Sequence, residues 1–493
     1  MRFKEANVLS AGFITSKNKL VHYLALAAIG YFFFKMLVFA FSISPYVQPD
    51  EVTHYGNCML YAKYPLFPPV TEENYGLASS RHKPYLYYLT MGKFVRLNVF
   101  PVSNLVFLRC ISCVFAFFTV LLGYRWVRDV TDNPNIRLVF IVVLTNIPMF
   151  TFSSAGVSYD SMANFFGAAS LVCLYRFVKS QSAQDFMFLG IAICSGMLSK
   201  DGFLPVAAAS AAIALYAIVA QKPTLSFFKK AVSDTKNMRR TLFLLPIFLL
   251  ISAAAALLYG ENLVRYHRLV PTLDQVFTEK NAMKFRLFAQ EHILDLYQKD
   301  KINYDQAVSM AGSINHPGDR MDTYYLLDLE HQNKSQPIQH LNRIEYAFPW
   351  LDMMLKRSVG IAGHLTMQKT GFEITGYQII LCMAIFLFVR YWRPSAGGGN
   401  LTYALLITLF HAIVLMQLFN YNQYMRTHAL GIYLHGKYLF PVLVPACALG
   451  AYALINPLKK TAATIVAAGV SVFFIWGDFP YFLSHATRDW FMR

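Results

Sequence analysis

The sequence predicts an all-α polytopic membrane protein with about 11 transmembrane helices, and three features carry that prediction. Hydrophobic residues form 56% of the chain and charged residues only 14%, against roughly 25% charged in soluble domains. The mean hydropathy is +0.39. The apolar residues gather in runs long enough to cross about 30 Å of hydrocarbon, not in the short alternating segments of a membrane β-barrel.

The polar, basic first 19 residues lead into an apolar stretch at 20–44. That stretch exceeds the hydrophobic region of a cleavable signal peptide, so it is expected to stay as the first span. Further spans are expected at 103–124, 137–152, 161–178, 186–200, 202–220, 241–260, 374–391, 401–419, 438–455 and 462–480. Counted alternately, one side of the bilayer receives Arg2, Lys4, Lys17 and Lys19, then Arg125, Arg128 and Arg137, then Arg176 and Lys179. The same side receives Lys222, Lys229, Lys230, Lys236, Arg239 and Arg240, then Arg390 and Arg393, then Lys459 and Lys460. The positive-inside rule makes it cytoplasmic. The net charge of +17 is thus a topology signal, not a nucleic-acid footprint.

The opposite side holds 45–102, a large insert at 261–373, the loop 420–437 and the C-terminal tail. Three units are expected: a transmembrane module at 1–260, the helical insert, and C-terminal transmembrane helices at 374–493. Of seven cysteines only Cys58 lies outside the spans, which offers neither a disulfide framework nor metal-ligand spacing. Gly397 to Gly399 reads as a short cytoplasmic turn. No Gly-rich phosphate loop is present.

Chemistry-bearing residues lie in the outward segments. Gln48-Pro49-Asp50-Glu51-Val52-Thr53-His54-Tyr55 follows the first span directly, opening a polar helical stretch from Asp50 to Ala62. Pro65, Pro68 and Pro69 mark a turn, and Arg81-His82-Lys83-Pro84-Tyr85-Leu86-Tyr87-Tyr88-Leu89 suits a helix at headgroup depth. In the large insert, Phe285, Phe288, Ile293 and Leu296 recur at near-helical spacing, and Arg343 to Lys356 reads as a second amphipathic piece. His316, His331, His340 and His364 are expected to be surface histidines. Asp160, Lys200 with Asp201, and His435-Gly436-Lys437-Tyr438 sit at outward span ends. Ionisable groups at membrane depth are costly and point to function. Falling on one side, they can converge with Asp50 on one external cavity.

A long span followed by an acid-opened external loop, a second acid in the next outward loop, a lysine in the third and a large outward insert after the seventh span resembles the GT-C superfamily of membrane glycosyltransferases. Pro49-Asp50-Glu51-x-x-His54, His82-x-Pro84-x-x-Tyr87-Tyr88 and His435-Gly436-Lys437-Tyr438 are similar to the motifs of one bacterial branch of it. That branch usually has Gln and Arg where this chain has His435 and Lys437. Lysine keeps a point charge for phosphate but loses bidentate geometry. The layout also resembles phage-type serotype-converting glucosyltransferases.

The resemblance implies a GT-C-like fold in a bacterial inner membrane and an inverting transfer of a sugar, such as glucose, from undecaprenyl phosphate. The acceptor it implies is a periplasmic glycan or lipid, such as the O-antigen of lipopolysaccharide. Asp50 would serve as general base, with Glu51 and Asp160 as further catalytic acids. Lys83, Lys200 and Lys437 would meet phosphate charge. His54, His82, Tyr87, His435 and Tyr438 would complete the substrate-binding set. A divalent cation is the cofactor the superfamily allows, and Asp50, Glu51, Asp160 and His54 are the residues to hold it. Two other readings share the compartment: a lipid-linked-glycan flippase, which predicts ionisable groups at mid-membrane, and a glycan polymerase.

Overall fold

The computed structural model describes residues 16–69, 82–220, 235–314, 317–392, 399–432 and 434–492. Arg2, Lys4, Lys222, Lys229, Lys230, Arg393, His316 and the first two glycines of the 397–399 turn lie outside them. Among the described residues, nine helices are long and apolar enough to cross a membrane. A bent pair, Pro134–Thr145 with Pro148–Ser154 (57°), and the shorter apolar helix Ala183–Ser199 stand where the third and fifth spans are expected. The protein is an all-α polytopic membrane protein. Its one described sheet is a two-stranded hairpin pairing Ile361 with Met367 and Ala362 with Thr366.

Local chemistry sets many helix starts. Ser103, Ser158 and Ser182 each accept a backbone N–H of the turn they open, and Asn133 does so ahead of Pro134. Several helices run past their expected limits, Asn104–Val130 among them. Thr235–Tyr266 continues beyond residue 260, so the expected edge of the insert falls inside a helix. The span beginning at Leu401 reaches Thr427 through a π-helical turn at Leu415–Asn420.

The bend between Thr145 and Pro148 has an identifiable cause. Pro148 cannot donate to a continuing helix, and the carbonyls freed there need donors. Lys35, fully buried in the first span, serves one of them and the Asn146 side chain. Its Nζ donates to Thr145 O (2.8 Å) and Asn146 Oδ1 (2.9 Å), and it pairs with buried Asp478 at the end of the last long helix. All three ammonium protons are used. One lysine therefore ties the first span, the bend and the C-terminal helices together.

The C-terminus returns to the first span: Ser44 N donates to Trp490 O (2.8 Å) and Met492 N to Ser42 O (2.7 Å). Residues 490–492 thus share a side with Asp50. The insert is built of helices, of which Arg286–Gln298, Tyr304–Gly312, Pro317–Ser335 and Arg343–Val359 are the longest. The first three close around Ile293, Leu294, Tyr297, Ala307, Ala311, Leu326 and Leu327, joined by Ala429 from the 428–432 loop.

Candidate active site

Four chain segments meet beyond the end of the first span. Asp50 precedes the helix Glu51–Lys63 in a left-handed conformation (φ 61°, ψ 8°), and its side chain does not cap that helix. Its Oδ2 instead meets Lys437 Nζ at 2.7 Å. Asp160 lies in the first turn of Tyr159–Ser180, after the N-cap Ser158, whose hydroxyl donates to Asp160 Oδ2 (3.1 Å). Lys200 forms a close ion pair with Asp160 Oδ1, and Lys437 stands 3.8 Å from Asp160 Oδ2. Two carboxylates and two ammonium groups thus alternate. Asp160, Lys200 and Lys437 are buried, whereas the Asp50 side chain is 34% exposed. Asp50 is therefore the member a substrate can reach.

Two glycines permit this approach. A Cβ on Gly167 would lie 2.3 Å from Pro441 O, so only glycine lets Tyr159–Ser180 pack against the 3₁₀ turn Gly436–Val442 that carries Lys437. A Cβ on Gly436 would lie 2.4 Å from Ser358 Oγ and 2.8 Å from the Arg357 backbone.

Aromatic and imidazole groups line the cluster. His54 Nδ1 is 2.8 Å from Tyr88 OH, its ring meets Tyr159 edge-on (centroids 4.3 Å), and its buried Nε2 has no hydrogen-bond partner among the described residues. Burial pushes the His54 imidazole down to about 4, with Lys437 and Lys200 adding to the shift against Asp50 and Asp160. Burial likewise takes His435 to about 3, helped by Lys437 and Arg357, and its Nδ1 also has no hydrogen-bond partner among the described residues. Burial holds the Tyr88 phenol neutral, well above its ordinary value. Lys200 Nζ lies between the Tyr159 ring (5.2 Å) and the Tyr438 ring (5.3 Å), a cation–π sandwich.

The structure thus gathers Asp50, His54, Asp160, Lys200, His435, Lys437 and Tyr438. It places four other expected residues elsewhere. Glu51, expected as a catalytic acid, is fully buried and held bidentately by Arg109 (Nε to Oε1 2.8 Å, Nη2 to Oε2 2.6 Å). It also accepts from Tyr46 N (3.0 Å) and Val157 N (3.1 Å), so no lone pair is left for a substrate. Tyr87, expected to bind substrate, is buried with its hydroxyl 3.3 Å from Ser112 Oγ, on the protein-facing side of its helix. His82 faces Asn262 Oδ1 (3.2 Å) and Tyr266 OH (3.4 Å) of the Thr235–Tyr266 helix. Lys83 lies 3.6 Å from Asp201. Both belong to a neighbouring wall, apart from the carboxylate–ammonium cluster.

The expected metal set does not fit a divalent ion. Glu51 is turned to Arg109, and Asp50 and Asp160 are each paired by lysine. Among the described residues no group of three or more His, Cys, Asp or Glu side chains is arranged to hold a metal.

Sequence reasoning missed Arg109, Tyr88, Tyr159 and Ser158. Arg109 had a signal, an arginine inside an apolar span. Tyr88 adjoins Tyr87 in the same aromatic run, and only the helix phase decides which of them faces His54.

Residues 65–262 match the family model described as dolichyl-phosphate-mannose-protein mannosyltransferase. The matched region contains Asp160 and Lys200 but neither Asp50 nor Lys437. No curated protein matches the chain. Similar solved structures include the Archaeoglobus fulgidus oligosaccharyltransferase AglB, in complex with an inhibitory peptide and a dolichol-phosphate (12% identity, TM-score 0.41, covering 92% of this chain and 55% of that one). ArnT from Cupriavidus metallidurans, bound to undecaprenyl phosphate, is also similar (12% identity, TM-score 0.31, 88% and 77%). So is the Mycobacterium smegmatis arabinosyltransferase EmbB (11% identity, TM-score 0.34, 92% and 41%). The chain spans about half the length of the archaeal oligosaccharyltransferase.

Proposed function

We propose that this chain, a membrane glycosyltransferase of the GT-C type, moves a sugar from a polyprenyl-phosphate donor onto an acceptor hydroxyl beside Asp50. The acceptor oxygen attacks the anomeric carbon, its proton passes to the Asp50 carboxylate, and the bond to the lipid phosphate breaks with the electron pair leaving on phosphate. Lys437 and Lys200 stabilise that charge in a site where most water is excluded. In the resting protein Lys437 neutralises Asp50. An incoming phosphate competes for the ammonium and leaves the carboxylate a stronger proton acceptor. Asp160 holds Lys200 in place, and His54 Nε2 and His435 Nδ1 meet sugar or acceptor oxygens. We further assign the bacterial inner membrane with the site on the periplasmic side, undecaprenyl phosphate as carrier, glucose as the sugar, and a surface polysaccharide such as O-antigen as the acceptor.

The observation that carries this reading is the convergence of Asp50, Asp160, Lys200 and Lys437, with Asp50 alone partly exposed. The flippase reading asks for available charges within the bilayer. Lys35 and Asp478 lie there, but the Lys35 ammonium is saturated and serves the helix bend. Purified protein incubated with polyprenyl-phosphate sugars and candidate glycans tests the proposal. Asp50→Asn is expected to lower transfer about 10²- to 10⁴-fold. Full transfer by a folded Asp50→Asn protein overturns the base assignment, and movement of lipid-linked glycan across vesicles without donor consumption favours the flippase.

A further inference from the structure

The helix Arg343–Val359 was expected in the outward insert, yet its partners lie inside two spans. Asp352 accepts from Gln378 Nε2 (2.6 Å), about 10 Å along the span that begins at Gly371. Trp350 Nε1 donates to Asn420 Oδ1 (3.0 Å), and Arg343 reaches Gln417 Oε1 (3.5 Å), both within the span Leu401–Thr427. On the outside of the same helix Ile344 and Phe348 are 78% and 75% exposed, and the neighbouring span exposes Leu418 and Phe419. These apolar surfaces suit lipid, so the helix lies at the depth of headgroups and upper acyl chains on the Asp50 side.

Its C-terminal end borders a small cleft of about 60 Å³ whose lining includes Met353, Lys356, Arg357, Gly360, Ile361 and Gln368. None of the residues in the Asp50–Lys437 cluster lines it. Lys356 is neutralised by Asp352 (2.6 Å). Arg357 is not: it is half-buried, donates one Nη1 bond to Leu434 O, and has no carboxylate within ion-pair distance among the described residues, Asp322 acting only from farther away. A cation withdrawn from water normally has a counter-charge, and guanidinium matches phosphate with two parallel donors.

We infer that this cleft binds a lipid-borne phosphate, with Arg357 as its anchor and the Gln368 amide beside it. The phosphate arrives laterally through the leaflet, its acyl or isoprenoid chain lying along Ile344 and Phe348. Two sources offer that chemistry, an anionic phospholipid and a polyprenyl monophosphate. The inference does not depend on the transfer reaction.

Native mass spectrometry of the full chain, loaded with phosphatidylglycerol, undecaprenyl phosphate or phosphate-free diacylglycerol, is the test. Arg357→Gln is expected to lower retention of at least one phosphate lipid by about fivefold or more, equivalent to roughly 1 kcal/mol. Arg357→Lys should keep part of it, and diacylglycerol should be unchanged. Loss confined to undecaprenyl phosphate assigns the cleft to the carrier lipid; loss confined to phosphatidylglycerol assigns it to the surrounding bilayer. Gln368→Leu, expected to weaken the same lipid, serves as the second variant where Arg357→Gln fails to fold. Unchanged retention of both phosphate lipids in folded variants, or an equal loss from Arg343→Gln at the far end of the helix, overturns the assignment. Transfer assays on the same proteins separate its failure from failure of the proposed reaction.

Discussion

Lys437 Nζ lies 2.7 Å from Asp50 Oδ2, joining residues 387 positions apart in the chain. The pair links the segment leaving the first span to the one entering the tenth, and it sets the resting state of the proposed base. Asp50 is held in a left-handed backbone conformation, which a non-glycine residue keeps only where its surroundings enforce it.

Because Asp50 and Lys437 act as a unit, their effects on transfer should not add. Asp50→Asn and Lys437→Met are each expected to cost about 10²-fold or more in single-turnover rate. The double variant should be little worse than the slower single one. Lys437→Arg, which restores the residue usual in the resembling branch, should retain part of the rate. Independent, multiplying losses in the cycle would show that the two residues serve separate steps.

The Glu51–Arg109 pair should govern stability and site geometry, not proton transfer. Arg109 also donates to the carbonyls of Ala40 (3.2 Å), Ile43 (2.8 Å) and Ser44 (3.3 Å), and Glu51 accepts from Val157 N, three residues before Asp160. One buried pair therefore fixes the backbone before both site carboxylates. Removing either partner strands a buried charge, at about 3–5 kcal/mol. Glu51→Leu or Arg109→Met should lower the thermal midpoint strongly, and the double Glu51→Leu, Arg109→Met variant should recover only the share owed to the stranded charge, because the carbonyls of Ala40, Ile43 and Ser44 and the N–H groups of Tyr46 and Val157 still lose their partners. A Glu51→Gln protein with normal stability but no transfer would return Glu51 to the reacting centre.

Lys35 makes a prediction about local order. Lys35→Met removes the ammonium that donates to Thr145 O and Asn146 Oδ1 and leaves Asp478 buried without its cation. Amide exchange should rise first in 145–154 and around Asp478, with the other spans less affected. The double Lys35→Met, Asp478→Leu variant should protect the Asp478 region but not the freed Thr145 carbonyl. Uniform exchange across all spans would mean that the pair does not control the bend.

The fold was legible because spanning a bilayer forces long apolar runs on the sequence. The same logic singles out Asp160, Lys200 and Lys437 as ionisable groups at span ends, and the fold brings the three together. Adjacent acids are alike in sequence, and only the turn geometry sends Asp50 toward Lys437 and Glu51 inward to Arg109. Lys35 was passed over inside an otherwise apolar span, since its partners are more than 100 positions away. The depth of Arg343–Val359 was hidden for a related reason. Amphipathic periodicity marks a helix but does not say whether its apolar face meets an insert core or lipid.

Protonation should destabilise the site in mild acid. His54 titrates near 4 in the folded protein and His435 near 3, against about 6.5 for a free imidazole. Between those values the unfolded chain binds protons that the folded one does not, so stability rises with pH across the window. It is fully present above about 6.5 and is lost as pH falls toward 4 for His54 and 3 for His435. Lowerings of this size are worth on the order of 3 kcal/mol for His54 and 5 kcal/mol for His435. The groups facing His54 are Asp50, Asp160, Lys200 and Lys437, with neutral Tyr88 and the edge of the Tyr159 ring beside it. The thermal midpoint is therefore expected to be nearly flat from pH 8 to 7 and to decline below pH 6.5. His54→Gln and His435→Gln should each flatten part of that decline, provided that the substituted amide is accommodated. A midpoint that rises on acidification, or a decline unchanged in both variants, would show that the two imidazoles are not kept neutral by the fold.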